Sequence, residues 1–211
     1  MLITGNEGFV GSHLYDRLVE LGHSVAGADL KSDIDIRSYN FHEKYEYIFH
    51  CAAKASIPAS INNPVESHTH NVLGTLRILE YARKTGAKVI FSSSSSVYGE
   101  AQVPTKEEAP YSPMSPYAMQ KILCELYLEY YWTLGVKSVA LRYFNVFGER
   151  QEIANGGDSS LVLATFLKQI KDQEPFTIVG SGEQTRDFVY VKDVVEANIK
   201  AAKYLDTAQE Y

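Results

Sequence analysis

The stretch TGNEGFVG, residues 4–11, constrains this chain more than any other. It places glycines at 5, 8 and 11, after strand-like apolar residues 2–4. Residues 9–21, FVGSHLYDRLVEL, follow with apolar side chains at Phe9, Val10, Leu14, Leu18 and Leu21, which is helical spacing. Gly22 closes that helix, and SVAGADL supplies a second short strand. A glycine triplet alone marks only tight turns. Between a strand and a helix it reads as a dinucleotide loop. Gly5 permits the turn, Gly8 lets backbone approach a pyrophosphate, and Gly11 lets helix and sheet pack closely. Asp29 ends the second strand, where a carboxylate favours a free ribose 2′-OH and repels a 2′-phosphate. NAD is therefore the expected cofactor. Glu7, an anion inside a phosphate loop, is expected to point to solvent.

The remaining pattern continues the same alternation. An apolar run at 45–53 precedes a helix over 64–85, with Pro64 in its first turn and Gly86 at its end. KVIFSSSS at 88–95 reads as a strand, residues 116–134 as a long amphipathic helix, and SVALRYFNVFG at 138–148 as a strand leaving the sheet. Strands alternating with helices of this length define an α/β class with a doubly wound parallel sheet. After residue 150 the texture changes to a polar loop, QEIANGGDSS. A helix at 161–170, a strand at 176–180, and a turn, strand and helix follow. The expected organisation is a dinucleotide-binding domain over 1–152, a substrate-binding segment over 153–186, and a strand and helix over 187–211 that return to the first domain.

Bulk properties exclude several classes. The chain has 211 residues and a formal net charge of −6, a poor balance for a nucleic-acid partner. No apolar run reaches the roughly 20 residues of a membrane span, and no signal peptide is visible. Cys51 and Cys124 stand far apart in unlike contexts, so a reducing, cytoplasmic setting is expected. His68 and His70 lack an acidic or cysteine partner, and no metal site is expected. His50 reads as a strand-end core residue.

Two residues suggest chemistry. Tyr117 and Lys121 share a helix face at i and i+4. An ammonium there favours the phenolate and makes a tyrosine usable as a general base. The five serines at 92–96 sit at the carboxyl end of a strand, where open α/β sheets place ligands.

The segments TGNEGFVGSHL, HCAAKASIPASI, FSSSSSVYGE, SPYAMQK, LRYFNVFGERQ and GSGEQTRDFVYVKDVVEA occur in this order. Together they resemble the extended short-chain dehydrogenase/reductase family of NAD-dependent nucleotide-sugar epimerases and dehydratases. The likeness is greatest to UDP-glucose 4-epimerase-like enzymes. It implies a Rossmann-type fold, a tightly held NAD and a nucleotide-sugar substrate. It implies that Tyr117 takes the sugar 4-OH proton, that Lys121 bonds the nicotinamide ribose, and that Ser94, three residues before Val97, is the catalytic hydroxyl. Gly5, Gly8, Phe9, Val10 and Gly11 would form the phosphate loop, Asp29 would hold the adenine ribose, and Asp35 and Ile36 would flank adenine. Ala52, Ala53, Asn71, Ser92 and Ser93 would approach the cofactor, with Tyr143 and Phe144 bordering the nicotinamide. Ser95 joins Ser94 and Phe144 at the substrate, and Asn145 and Arg186 would contact the nucleotide diphosphate. A homodimer through helices 66–84 and 116–134 is also implied.

The serine run selects within the family. The related 4,6-dehydratases carry an Asp-Glu pair directly after the catalytic hydroxyl. Here Ser95 and Ser96 stand there, and a hydroxyl cannot serve as a general acid near neutral pH. Epimerisation at C4 of a UDP-hexose or UDP-uronate is therefore the expected activity. A 4-ketoreductase stays open because only five residues separate Asp29 from Asp35, a short connection that such reductases share. A non-catalytic NAD-binding protein is the alternative from another class. The usual C-terminal remainder of the family, which completes the sugar pocket, is expected to be absent.

Overall fold

The structure is a computed structural model that describes residues 1–151, 162–178 and 180–208. Its first half alternates strand and helix: β1 (Leu2–Thr4), α1 (Phe9–Glu20), β2 (Ala26–Ala28), β3 (Tyr47–His50), α2 (Ile57–Asn62), α3 (Pro64–His68), α4 (Gly74–Thr85) and β4 (Lys88–Ser94). Then come α5 (Pro116–Trp132), β5 (Ser138–Tyr143), β6 (Asn145–Phe147), α6 (Val162–Asp172), β7 (Phe188–Tyr190) and α7 (Val191–Thr207).

Five strands form one parallel sheet in the order β2-β1-β3-β4-β5. The chain steps from β1 to β2 on one side, then crosses to β3 on the other. That reversal opens a crevice beyond the carboxyl ends of β1 and β3, the place where open α/β sheets bind ligands.

Both sheet faces are buried, so the strands are apolar at successive positions rather than alternating with polar ones. Leu2, Ile48, Val89 and Phe91 face Ile78, Leu79 and Ala82 of α4 and Cys124 and Leu128 of α5. Their neighbours Ile3, Phe49 and Ile90 face Leu14 and Leu18 of α1 and Val195, Ile199 and Leu205 of α7. Each Val, Leu, Ile or Phe among them contributes about 1.5–3 kcal/mol on leaving water.

Several expected elements change shape. The helix expected over 64–85 is α3 and α4 joined by a π-helical turn, Thr69–Leu73. The Asn71 carbonyl in that turn accepts the Thr75 hydroxyl at 2.7 Å. The Ser56-capped α2 appears in a segment with no clear periodicity. Of the apolar run at 45–53, only β3 is strand. The single strand expected over 138–148 is two. β5 pairs with β4 until Ser94↔Tyr143, where β4 gives way to a 3-10 turn over Ser95–Tyr98. With that partner gone, the backbone groups of β6 find β7 in a separate two-stranded sheet. Residues 176–178 form no strand. The Thr177 hydroxyl accepts from the Gln169 side chain instead. Leu161 of the expected helix, Val179 of the expected strand and residues 152–160 of the polar loop lie outside the described residues.

Candidate active site

The crevice is a cavity of about 470 Å³ lined by Gly5, Gly8, Phe9, Asp29, Asp35, Ile36, Ala52 and Ala53, all expected from the sequence. The glycines shape it. Gly5 has φ +73°, and a Cβ there would lie 2.7 Å from the Ala52 nitrogen. A Cβ on Gly11 would lie 2.0 Å from the Gly5 carbonyl oxygen, so Gly11 serves the packing of α1 on the loop rather than the cavity wall. Gly8 is the N-cap of α1 and supplies no side-chain cap. The first-turn N–H groups of a helix this long therefore face a ligand site with the positive end of its dipole.

Asp29 faces the same space. Its carboxylate accepts the Glu7 and Lys31 amides, each at 3.0 Å. A carboxylate has about four acceptor positions, so capacity for ribose hydroxyls remains. Glu7 is exposed, and it also bonds the Ser32 hydroxyl, tying the glycine loop to the turn after β2.

The wall beyond carries residues that the sequence pattern did not mark: Lys31, Arg37, Cys51, Lys54, His70 and Gln151. Arg37 forks onto Asp35 at 2.6–3.0 Å. That pairing holds the Asp35 carboxyl below the usual carboxylate range. Burial, then the charges of Arg37 and Lys54, lowers the affinity of His70 for a proton. Gln151 is brought over α1 by its neighbours. His13 donates to the Glu149 carbonyl at 2.7 Å, and Arg150 meets Asp16 at 2.6 Å. No short sequence pattern announces this contact, because it depends on where β6 leaves the sheet.

The candidate catalytic residues lie where β4 meets α5. Ser115 caps α5, accepting from the Ala118 amide at 3.1 Å, and Pro116 starts it. The Tyr117 amide donates to Ser60 of α2 at 3.1 Å, and Gln120 bonds Ser67 and Asn71, so the start of this helix is anchored through polar contacts. Tyr117 and Lys121 are 8% and 3% exposed. The Lys121 ammonium donates to the Ser92 carbonyl at 2.6 Å and lies 5.8 Å from the Tyr117 ring centre. Its positive charge and burial hold His50 neutral, with a pKa of about 3, burial being the larger cause. His50 accepts from Thr4 at 2.6 Å through Nδ1 and donates to Thr75 through Nε2.

Other residues named from the sequence have different partners. The Ser94 hydroxyl accepts the Ser96 amide at 3.2 Å. Ser93 is turned the other way, into Glu125 of α5, because successive strand residues face opposite sides. Its hydroxyl is therefore engaged by α5, and Ser93 does not line the cavity. Ser92 contacts Cys51 and the Tyr143 hydroxyl, and Asn198 donates to that same hydroxyl at 2.7 Å. Asn71 bonds the Lys54 backbone on both sides of its amide and does not line the cavity; neither does Val10. Phe144 stacks on Tyr98. Asn145 donates to the Asp187 carbonyl at 2.7 Å, while the neighbouring Arg186 bonds the Thr185 carbonyl and stays outside the cavity.

A glycine-walled crevice, an uncapped helix start and a strand-end carboxylate define a dinucleotide-binding Rossmann protein. The description "NAD dependent epimerase/dehydratase family" matches residues 1–211, and the chain belongs to that family, within the extended short-chain dehydrogenases/reductases. It is 39% identical to the "Putative UDP-glucose 4-epimerase" of Methanocaldococcus jannaschii, covering 97% of this chain and 73% of that one. It is 33% identical to "UDP-glucuronic acid decarboxylase 1" of Xenopus tropicalis, covering 100% of this chain and 57% of that one. Among solved structures, the UDP-N-acetylglucosamine 4-epimerase of Methanobrevibacter ruminantium, in complex with UDP-N-acetylmuramic acid, matches with a TM-score of 0.90 and 37% identity. It is covered over 72% of its length by 96% of this chain. NAD is the cofactor of the family, and the crevice residues fit it.

Proposed function

We propose that this chain carries the NAD-binding and catalytic part of an enzyme that epimerises a UDP-hexose or UDP-uronate at C4. Bound NAD supplies reversible hydride transfer to and from the sugar carbon. Gly5, Gly8 and the start of α1 would hold its diphosphate, and Asp29 its adenine ribose. The observation that carries the reading is the buried Tyr117–Lys121 pair, its ammonium bonded to the end of β4. Tyr117 takes the proton of the sugar 4-OH, with the Lys121 ammonium one helical turn away. One ammonium donor is used on Ser92, and the others serve the cofactor ribose. Ser94 bonds the reacting oxygen. The 4-keto sugar turns in the pocket, and Tyr117 returns the proton as the hydride returns to the other face. Asn145 and Arg186 anchor the nucleotide diphosphate through the turn.

Ser95 and Ser96 offer no carboxylic acid where a 4,6-dehydratase needs one, which favours epimerisation. We further propose a homodimer through helices 66–84 and 116–134; on the outer face of α5, Met119, Leu126, Tyr127 and Tyr130 are exposed. The experiment is a panel of UDP-, GDP- and dTDP-sugars, including UDP-glucuronic acid, incubated without added cofactor and resolved by chromatography. Interconversion of C4 epimers is expected. Turnover only with added reduced cofactor would mean a reductase, and release of CO2 from the uronate a decarboxylase.

A further inference from the structure

Ser93 and Arg142 are register partners across β4 and β5, and both reach the same side chain on α5. Glu125 accepts the Ser93 hydroxyl. Arg142 forks onto both Glu125 oxygens at 2.7–3.1 Å. The carboxylate is nearly enclosed, its side chain 6% exposed. Tyr111 donates to Glu125 at 2.8 Å, and Arg142 donates to the hydroxyls of Tyr98 and Tyr111 at 2.9 and 3.0 Å. Arg142 also holds the Glu107 carbonyl at 2.8 Å.

This cluster touches both sides of the proposed chemistry without being part of it. On one side is Ser93, directly before Ser94. On the other, Tyr111 lies on the segment that runs through the Ser115 cap to Pro116 and Tyr117. Lys121 and Glu125 lie one turn apart and grip successive residues of the strand, Lys121 at the Ser92 carbonyl and Glu125 at the Ser93 hydroxyl. Such a double grip fixes the strand end both along and across the helix. A strand held at one point only could slide or twist, and an error of about 1 Å in a reacting group can cost on the order of 100-fold in rate.

We infer that Glu125 and Arg142 are positioning residues: through Ser93 they place Ser94, and through Tyr111 they place the entry to the helix that carries Tyr117. The inference rests on the proposed roles of Ser94 and Tyr117. It extends the site to a charged pair that no sequence motif marks as functional. Burial and the hydrogen bond to Glu125 push Tyr111 up to about 12.

The test uses Glu125→Gln and Ser93→Ala, each made in the native chain and in a Ser94→Ala background. In the native background kcat should fall about 10- to 100-fold, with KM for the UDP-sugar and bound NAD unchanged within about twofold. In the Ser94→Ala background Ser93→Ala should change the residual kcat by less than about twofold, because the residue it places is gone, whereas Glu125→Gln should keep only the part of its loss that passes through Tyr111. Equal losses by Ser93→Ala in both backgrounds would reduce the pair to a general structural role and overturn the inference; so would full activity in Glu125→Gln. Ser93→Ala removes only one hydroxyl and keeps the ion pair, so it answers the question if Glu125→Gln fails to fold. Amide hydrogen exchange at Ser94 to Ser96 gives an answer independent of turnover. Exchange about tenfold faster in folded Ser93→Ala supports the positioning, and unchanged exchange overturns it. A native chain that shows this exchange effect but turns over no sugar would contradict the epimerase reading alone.

Discussion

The Lys121 ammonium donates to the Ser92 carbonyl at 2.6 Å, locking helix α5 to the last turnable residues of strand β4. The bond places a buried cation one helical turn from Tyr117 and two residues before Ser94. Lysine is the residue type suited to this place: a compact point charge on a flexible stem, with three donors to share.

Replacing Lys121 with Met removes that charge and leaves the Ser92 carbonyl without its partner. The expected loss in kcat is about 10²- to 10⁴-fold, the usual worth of an activated proton-transfer group. Lys121→Arg should not restore it, because a planar guanidinium cannot occupy the point that the ammonium does. Steady-state kinetics alongside the NAD content of the purified variants checks both. Normal kcat in Lys121→Met would remove this residue from the proposed chemistry.

Gly11 and Gly22 separate two reasons for a glycine. Gly11 has no room: an added Cβ would sit 2.0 Å from the Gly5 oxygen. Gly22 has room, with nothing within 4 Å, but a φ of +82°. Gly22→Ala should cost about 1–2 kcal/mol from backbone strain and keep NAD. Gly11→Ala must push the loop away from α1, costing about 1–3 kcal/mol or more, and should lose bound NAD as well. Thermal melts and the absorbance of released cofactor measure the two effects. Equal NAD retention in both variants would contradict the packing account.

His50 makes stability depend on pH. Burial and the Lys121 charge lower its folded pKa to about 3 from the ordinary value of 6.5. Below pH 6.5 the unfolded chain takes up a proton that the folded chain refuses. The stabilisation from a neutral His50 is therefore complete above 6.5 and is lost as pH falls from 6.5 towards 3. The loss approaches 1.4 kcal/mol per pH unit once the unfolded imidazole is fully charged. Urea denaturation at pH 7 and pH 5 should show a larger drop for the native chain than for His50→Gln, which has no imidazole to charge. Identical drops would mean that His50 does not carry this dependence.

Much of this arrangement is legible in the amino-acid order, for reasons that are local. The β1–α1 turn needs glycine at Gly5 and Gly11 because backbone and helix crowd there, so spacing alone points to it. Tyr117 and Lys121 share a helix face by geometry that any i, i+4 pair obeys. The serine run is harder. Composition says that hydroxyls end the strand, but only the phase of the strand decides which of them face the helix, and so Ser93 meets Glu125. The partners Glu125 and Arg142 come from α5 and β5, and their meeting depends on strand register. His70 and Lys54 reach the cavity from the π-helical turn and the loop after β3, backbone shapes without a short signature. The split of residues 138–148 into β5 and β6 follows from the end of β4, information that segment does not itself contain.

The most direct measurement of the central claim follows one atom. UDP-galactose carrying deuterium at C4 is incubated with the protein without added cofactor, and the product is read by NMR and mass spectrometry. The account predicts UDP-glucose, or the matching C4 epimer when another UDP-sugar is the substrate, with deuterium retained at C4. The same hydrogen leaves and returns within one closed site, and Tyr117→Phe abolishes the conversion. Epimer that has exchanged its C4 deuterium for solvent hydrogen, or undiminished conversion by Tyr117→Phe, would contradict it.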